Sequence, residues 1–144
     1  MPVFLVAFLV VVLDQLSKFA VRGLMVLHES IPVIPGIVNF TYILNKGAAF
    51  GILENQRWFF LVIAIALIAL YVFFGRRLPR HWLVRSGVGL LLGGAVGNAL
   101  DRFFMGAVTD FVDFHFWPVF NVADMGIVCG VALLLWYSWK HSVD

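Results

Sequence analysis

Four long stretches of apolar residues constrain this chain more than any other feature of its sequence. They run over about residues 3–23, 57–74, 84–104 and 120–139, and each is close to the roughly 20 apolar residues that a helix needs to cross a bilayer. Hydrophobic residues make up 62% of the chain and charged residues 12%, whereas soluble domains average about 45–50% and about 25%. The sequence therefore predicts a membrane all-α fold: one integral membrane domain, residues 1–144, with four transmembrane helices.

The basic residues predict how these helices are oriented. The link between the second and third stretches contains four arginines and no acidic residue: Arg76, Arg77, Arg80 and Arg85. Because short loops rich in arginine stay in the cytoplasm, we expect both termini inside and loops 24–56 and 105–119 outside. Four arginines in so short a turn cannot follow a nucleic-acid backbone, so no nucleic-acid partner is expected. The first stretch has no basic residue before it, which predicts a retained helix rather than a cleaved signal peptide.

The first outer loop contains a strand-like segment. Residues 37–44 are mostly β-branched or aromatic, with Pro35 and Gly36 before them and Asn45, Lys46 and Gly47 after them. This pattern is typical of a strand followed by a turn. It predicts a small β-rich structure on the outer membrane surface, after the first helix.

Three ionisable residues interrupt the first apolar stretch. Asp14, Lys18 and Arg22 are four residues apart and therefore share one helix face. Ionisable groups are costly inside a membrane, so they usually face the bundle interior and pair with one another. Two interpretations stay open here: an Asp14–Lys18 pair that fixes helix packing, or groups that support a site near the outer face. A small ion-coupled transporter would also use such residues, together with Asp101.

The third stretch combines small residues with a polar end. Gly89, Gly93 and Gly97 repeat every four residues, a spacing that lets neighbouring helices approach closely. The polar end consists of Asn98, Asp101 and Arg102. It is either a helix terminus whose side chains reach toward water or one wall of a polar pocket, and spacing alone does not decide between them.

Two aspartates are expected near the outer boundary. Asn121 and Asp124 begin the fourth stretch, where Asn121 is a good candidate for a helix cap, while Asp124 lies too deep for a simple cap. Asp110 lies on the loop that leaves the third stretch, at a similar expected depth. Two carboxylates held close together cannot both ionise, so such a pair can act as a base and an acid together.

Other catalytic chemistries lack their residues. The four histidines are scattered, and Cys129 is the single cysteine, so we predict no metal site. No Gly-x-Ser-x-Gly segment is present, which argues against a serine nucleophile. Cys129 lies in the middle of the fourth stretch, and we expect a buried, inert thiol there.

Five short segments together resemble one known family. They are residues 14–18 (DQLSK), 45–51 (NKGAAFG), 93–102 (GGAVGNALDR), 108–111 (VTDF) and 120–124 (FNVAD). In this order, on these helices and loops, the chain closely resembles lipoprotein signal peptidase, also called signal peptidase II. The resemblance implies an aspartic endopeptidase of the bacterial cytoplasmic membrane, with its site at the outer boundary. Such an enzyme removes the signal peptides of prolipoproteins just before their diacylglyceryl-modified cysteine.

The resemblance also implies roles for individual residues. Asp110 and Asp124 would be the catalytic pair, and no cofactor would be needed. The supporting or substrate-contacting residues would be Asp14, Lys18, Asn45, Gly47, Asn98, Arg102 and Asn121, to which we add Asp101. The outer loop would form a cradle for the substrate, and the partners would be diacylglyceryl-modified prolipoproteins and membrane lipids. Asp113 is a competing carboxylate near Asp110, but the segment favours Asp110. Met125 follows Asp124 where the family often has a hydroxyl residue.

Overall fold

The computed structural model describes residues 2–142, which form four helices and a small sheet. The helices are α1 (Val3–Leu24), α2 (Arg57–Phe74), α3 (Trp82–Met105) and α4 (Val122–His141). The strands are β1 (Ser30–Ile34), β2 (Val38–Asn45) and β3 (Val108–Asp113). Single turns of 3-10 helix lie at Ala49–Gly51 and Gly75–Arg77.

All four helices are long and apolar enough to span a membrane, which confirms the predicted fold class. The second helix has the predicted bounds. The third helix begins two residues before its predicted start, and the fourth begins two residues after it. The reason is capping: the His81 side chain accepts a hydrogen bond from the Leu83 N–H, and Asn121 caps α4 instead of lying inside it. Such caps satisfy N–H groups that have no partner within the helix.

The strand predicted over residues 37–44 is present as β2, but the sheet extends beyond the loop between α1 and α2. It is antiparallel in the order β1-β2-β3, and β3 comes from the loop between α3 and α4. Ile43 pairs with Asp110, and Asn45 pairs with Val108. The loop between α1 and α2 and the loop between α3 and α4 are therefore joined by main-chain hydrogen bonds, and this pairing brings Asn45 to the start of β3.

Glycines allow α3 to pack closely between α1 and α4. A Cβ atom built on Gly93 would lie 2.7 Å from the Ala7 carbonyl oxygen of α1, and one on Gly87 would lie 3.0 Å from the Gly130 oxygen of α4. A Cβ on Gly94 would overlap the Ala123 carbonyl oxygen. These contacts confirm that the small residues of the third stretch serve close helix packing.

Replacing Gly94 by alanine is expected to lower stability by about 1–3 kcal/mol, because the added methyl group has to displace the first turn of α4. Thermal unfolding in detergent would measure the change. Gly23→Ala is the matched control, since a Cβ there meets no atom within 4 Å and alanine favours a helix. Equal unfolding temperatures for the two variants would contradict this packing.

One expectation about α4 is wrong. Cys129 is exposed on the helix surface rather than buried. The helix turns its small residues, Ala123, Gly126 and Gly130, toward the bundle, whereas Cys129 is not among its buried residues. A helix surrounded by lipid need not hide its apolar residues, so hydrophobicity did not reveal which face is buried.

Candidate active site

Asp110 and Asp124 line one cavity at the end of the bundle that carries the sheet. Asp110 lies on β3 and Asp124 in the first turn of α4. The cavity has a volume of about 330 Å³ and is also lined by Asn45, Asn98 and Arg102. The structure thus brings together the two carboxylates that the sequence proposed as a pair, and the polar end of α3 forms a pocket wall.

Asn121 connects the two aspartates. Its Nδ2 donates to Asp110 Oδ1 at 2.6 Å. Its Oδ1 accepts from the Asp124 N–H at 2.9 Å, while Asp124 Oδ2 accepts from the Asn121 N–H at 3.2 Å. This reciprocal pattern is a capping box: Asn121 is the N-cap residue, and Asp124, which is too deep for a simple cap, completes the box from the third helical position. One Asp124 oxygen completes the cap, and the other remains for different partners.

Asn98 holds that second oxygen. Its Nδ2 donates to Asp124 Oδ1 at 2.8 Å. Its Oδ1 accepts from Lys18 Nζ at 3.0 Å and from Asn121 Nδ2 at 3.1 Å. Since an ammonium group can only donate, Lys18 orients the Asn98 amide so that its NH2 group points to Asp124.

Beneath this layer lies a buried ion-pair network. Lys18 Nζ is 2.8 Å from Asp14 Oδ2 and 3.1 Å from Asp101 Oδ2, and all three side chains are almost completely buried. Asp14 Oδ1 also accepts from the Ala123 N–H at 2.8 Å, at the start of α4. Asp101 Oδ2 accepts from the Thr109 N–H at 3.0 Å, next to Asp110. The network therefore holds the backbone beside both aspartates.

Asn45, Gly47 and Arg102 close the opposite side of the cavity. Asn45 Nδ2 donates to Asp110 Oδ2 at 3.1 Å, and Asn45 Oδ1 accepts from the Gly47 N–H at 2.9 Å. Arg102 donates to the Gly47 carbonyl oxygen at 3.1 Å and lies over the Phe60 ring. A Cβ on Gly47 would lie 2.7 Å from the Ile52 oxygen, so only glycine fits this turn without movement.

Burial raises the pKa of Asp110 to about 7, and the nearby charge of Asp124 acts in the same direction. Hydrogen bonds from Asn45 and Asn121 partly oppose this shift, because they stabilise the ionised form. Asp110 is consequently a carboxyl group that can hold a proton near neutral pH. Such a property is common at catalytic sites.

Asp113 has a different environment. It lies at the far end of β3, where its carboxylate accepts hydrogen bonds from the Thr41 hydroxyl and the His115 N–H. Burial there works against ionisation, but these bonds outweigh it and lower the pKa of Asp113. Asp113 does not line the cavity, which agrees with the choice of Asp110 from the sequence.

Two supporting residues were not predicted. Gln15 Nε2 donates to Asp14, to the Gly97 carbonyl oxygen and to Asp101. The Thr109 hydroxyl accepts from Arg22 at 3.0 Å, and the Thr109 carbonyl oxygen accepts from Asn121. A glutamine within an apolar helix, next to Asp14 and three residues from Lys18, was a usable signal for Gln15. Thr109 acts largely through its backbone, which sequence does not reveal.

The buried polar side chains of the described residues have hydrogen-bond partners, and these residues contain no cluster of metal-binding side chains. Within residues 2–142 every buried side-chain nitrogen or oxygen has a hydrogen-bond partner. In the same range no group of three histidine, cysteine, aspartate or glutamate side chains is placed to hold a metal ion. The donors to Asp110 and Asp124 are three asparagine side-chain amides and one backbone N–H, which suit carboxyl groups.

Solved structures resemble this fold. A bacterial membrane enzyme determined by the in meso method at 2.3 Å resolution superposes with a TM-score of 0.91 and 36% identity, over 97% of this chain and 88% of that one. A second, determined by the same method at 1.9 Å resolution, gives a TM-score of 0.82 and 38% identity, over 92% and 89%. By fold and site, the chain is thus a multi-pass membrane enzyme.

Relatives give a narrower identification. The family model described as Signal peptidase (SPase) II matches residues 6–140. A lipoprotein signal peptidase of Halothermothrix orenii is 42% identical over 140 residues, covering 97% of both chains. One from Brevibacillus brevis is 46% identical over 139 residues, covering 92% of this chain and 91% of that one. The chain belongs to the signal peptidase II family and is therefore a peptidase.

Proposed function

We propose that this chain is an aspartic endopeptidase that removes signal peptides from bacterial prolipoproteins, cutting before the diacylglyceryl-modified cysteine. The observation that carries this proposal is the cavity shared by Asp110 and Asp124, in a member of the signal peptidase II family. Its relatives named lipoprotein signal peptidase support the substrate class.

Two carboxylates and one water molecule suffice for the reaction. The ionised carboxylate removes a proton from the water, whose oxygen then attacks the scissile carbonyl carbon. The protonated carboxyl group stabilises the developing oxyanion and later protonates the leaving amine. Because interacting carboxyl groups titrate together, we assign the shared proton to the pair. Asn98 and Asn121 hold the pair in place, and Arg102 and Gly47 lie where an extended substrate would run.

The lipid of the substrate has a suitable surface beside the pair. The apolar residues that line the same cavity include Phe60, Trp117, Ile127 and Val128. Trp117 and Val128 are strongly exposed, so this side of the cavity faces the membrane. A diacylglyceryl group lying against it would place the neighbouring peptide bond at the depth of the aspartates.

We further propose that the enzyme lies in the bacterial cytoplasmic membrane, with both termini in the cytoplasm and the aspartates at the outer boundary. The arginines between α2 and α3 support this orientation, since they lie at the membrane end opposite the sheet. The test is to introduce a cysteine in β1 and to measure whether a thiol reagent that cannot cross the membrane labels it from outside the cell.

The expected test result is strong dependence on the lipid. Purified enzyme in proteoliposomes should release the signal peptide from a diacylglyceryl-modified precursor, with a kcat/KM at least about 100-fold above that for the unmodified precursor, because buried methylene groups contribute about 0.8 kcal/mol each. A precursor carrying one acyl chain should fall between them. Equal rates for modified and unmodified precursors would contradict the proposed substrate.

A pH profile tests the pair itself. Activity should fall as the pH rises above about 7, the raised pKa of Asp110, because the pair then loses its shared proton and becomes doubly ionised. Removing the Asn45 donor by Asn45→Ala should move this alkaline limb to higher pH, because Asn45 favours the ionised form of Asp110. The matched control is Asn39→Ala, whose side chain donates to Ser30 on the sheet surface. An unmoved limb in Asn45→Ala would contradict the assignment.

The transport alternative gains no support from the described residues. Asp14 and Lys18 belong to a closed network of ion pairs and hydrogen bonds. Asp14 accepts a hydrogen bond at the start of α4, and Asp101, which pairs with Lys18, accepts one from Thr109 in β3. We propose that Asp14 and Lys18 position these two segments and do not carry an ion.

A further inference from the structure

A second cavity lies at the membrane end opposite the aspartates. It has a volume of about 560 Å³ and lies between α1, α2 and α3. Both α1 and α2 pack against α3 but hardly touch each other, so the space between them opens toward lipid. Phe4 of α1 and Tyr71 of α2 meet edge to face across it, with ring centroids 5.6 Å apart.

The cavity combines cationic and apolar walls. Arg76, Arg80 and Arg85 line it together with Val3 and Val72. Arg85 is half-buried, while Arg76 and Arg80 are exposed. Among residues 2–142, no carboxylate oxygen forms an ion pair with any of these three arginines. Three guanidinium groups that line one cavity and form no ion pair within the described residues favour a phosphate group.

Tyr71 adds a polar group to the same cavity. A Cβ on Gly75 would lie 2.7 Å from the Tyr71 ring, so the glycine leaves room for the ring to fold over the end of α2. The tyrosine therefore adds a side chain with a hydroxyl group and an apolar ring to the cavity that the three arginines line. Exposed Phe4 and Val72 continue the apolar surface.

We propose that this cavity binds the phosphodiester headgroup of an anionic glycerophospholipid, with the acyl chains lying between α1 and α2. Basic pockets between transmembrane helices commonly bind such headgroups. A topology signal alone requires positive charge in the link, but it does not require the arginines to line one cavity. Arg77 illustrates the difference, because it lies outside the cavity, over the Phe74 ring.

The test measures lipid binding by the purified full chain in neutral detergent. Native mass spectrometry would follow the binding of dioleoylphosphatidylglycerol and, separately, of dioleoylphosphatidylcholine. We expect one phosphatidylglycerol site that Arg80→Gln/Arg85→Gln weakens about 25-fold, since each arginine near an anionic lipid contributes about fivefold. The charge-matched control Arg77→Gln/Lys140→Gln should bind almost as tightly as the wild type.

Three outcomes would overturn the proposal. Equal weakening in both double variants would indicate attraction by overall charge. Equal binding of phosphatidylcholine would show that the arginines do not select the lipid. Displacement of the lipid by millimolar inorganic phosphate would show a site for free phosphate. The signal-peptide assay in detergent separates this proposal from the catalytic one, because Arg80→Gln/Arg85→Gln should still cleave the lipid-modified precursor.

Discussion

Asp110→Asn and Asp124→Asn should each lower the rate of signal-peptide release by about 10,000-fold. Either change removes a group that must carry or accept a proton, while the amide keeps nearly the same shape. The measurement is single-turnover cleavage of a diacylglyceryl-modified prolipoprotein in proteoliposomes. Binding of the precursor should change little, because the lipid contacts do not involve the carboxylates.

Asp113→Asn is the matched control, since it is the same change on the same strand. Its carboxylate contacts Thr41 and His115 outside the cavity, so activity should remain near that of the wild type. The double variant Asp110→Asn/Asp124→Asn should be no slower than either single variant, because residues that act as a unit are not additive. Full activity in either single variant would refute the catalytic pair.

The inactive Asp110→Asn protein should remain folded, and its stability should respond to pH in a defined way. Because the folded pKa of Asp110 is raised from 3.8 to about 7, the protonated form is favoured in the fold. This contribution to stability is complete below about pH 4 and is lost as the pH rises through about 7. As the pH rises from about 4 to about 7, the unfolding temperature of Asp110→Asn should therefore increase relative to that of the wild type.

Lys18→Met should lower the free energy of unfolding by about 3–5 kcal/mol, which is the usual cost of removing one partner from a buried ion pair. The change leaves the carboxylates of Asp14 and Asp101 without their shared cation. It also removes the donor that orients the Asn98 amide. Denaturant or thermal unfolding in mixed micelles would measure the loss, and activity should fall with it.

The control for this change is Lys46→Met, at an exposed position near the cavity. It makes the same replacement without a buried partner, so its stability should stay within about 0.5 kcal/mol of the wild type. Adding Asp14→Asn to Lys18→Met should recover part of the loss, because one uncompensated charge disappears. If Lys18→Met unfolds at the same temperature as Lys46→Met, the buried network does not stabilise the fold.

Much of the site could be predicted because its residues carry local signals. Asp14 and Lys18 are conspicuous in an apolar helix, and their spacing predicts the pair that the structure contains. The glycines of α3 predict close packing, which their contacts confirm. The link between Asn121 and Asp124 was only half predicted. Sequence indicated a cap at Asn121, but the second half of the capping box depends on the rotamer of Asp124.

Other features depend on contacts between distant parts of the chain. The third strand, the bond between Asn45 and Asp110, and the bond between Asn98 and Asp124 join segments that are far apart in sequence. No local pattern encodes such partners, because a side-chain donor bonds to whichever acceptor the fold brings near it. The position of Cys129 was predicted wrongly for a related reason, since lipid and protein interior are both apolar.

The sequence by itself determined the four spans, the surface strand β2 and the residues that do not belong in lipid. These follow from hydrophobicity and periodicity, which act over one or two helical turns. Only the tertiary structure decided how Lys18, Asn98 and Asn121 connect the two aspartates, and it alone grouped three arginines around a cavity. The physical reason is that hydrogen-bond geometry and electrostatic coupling depend on distances of a few ångströms, and packing between helices sets those distances.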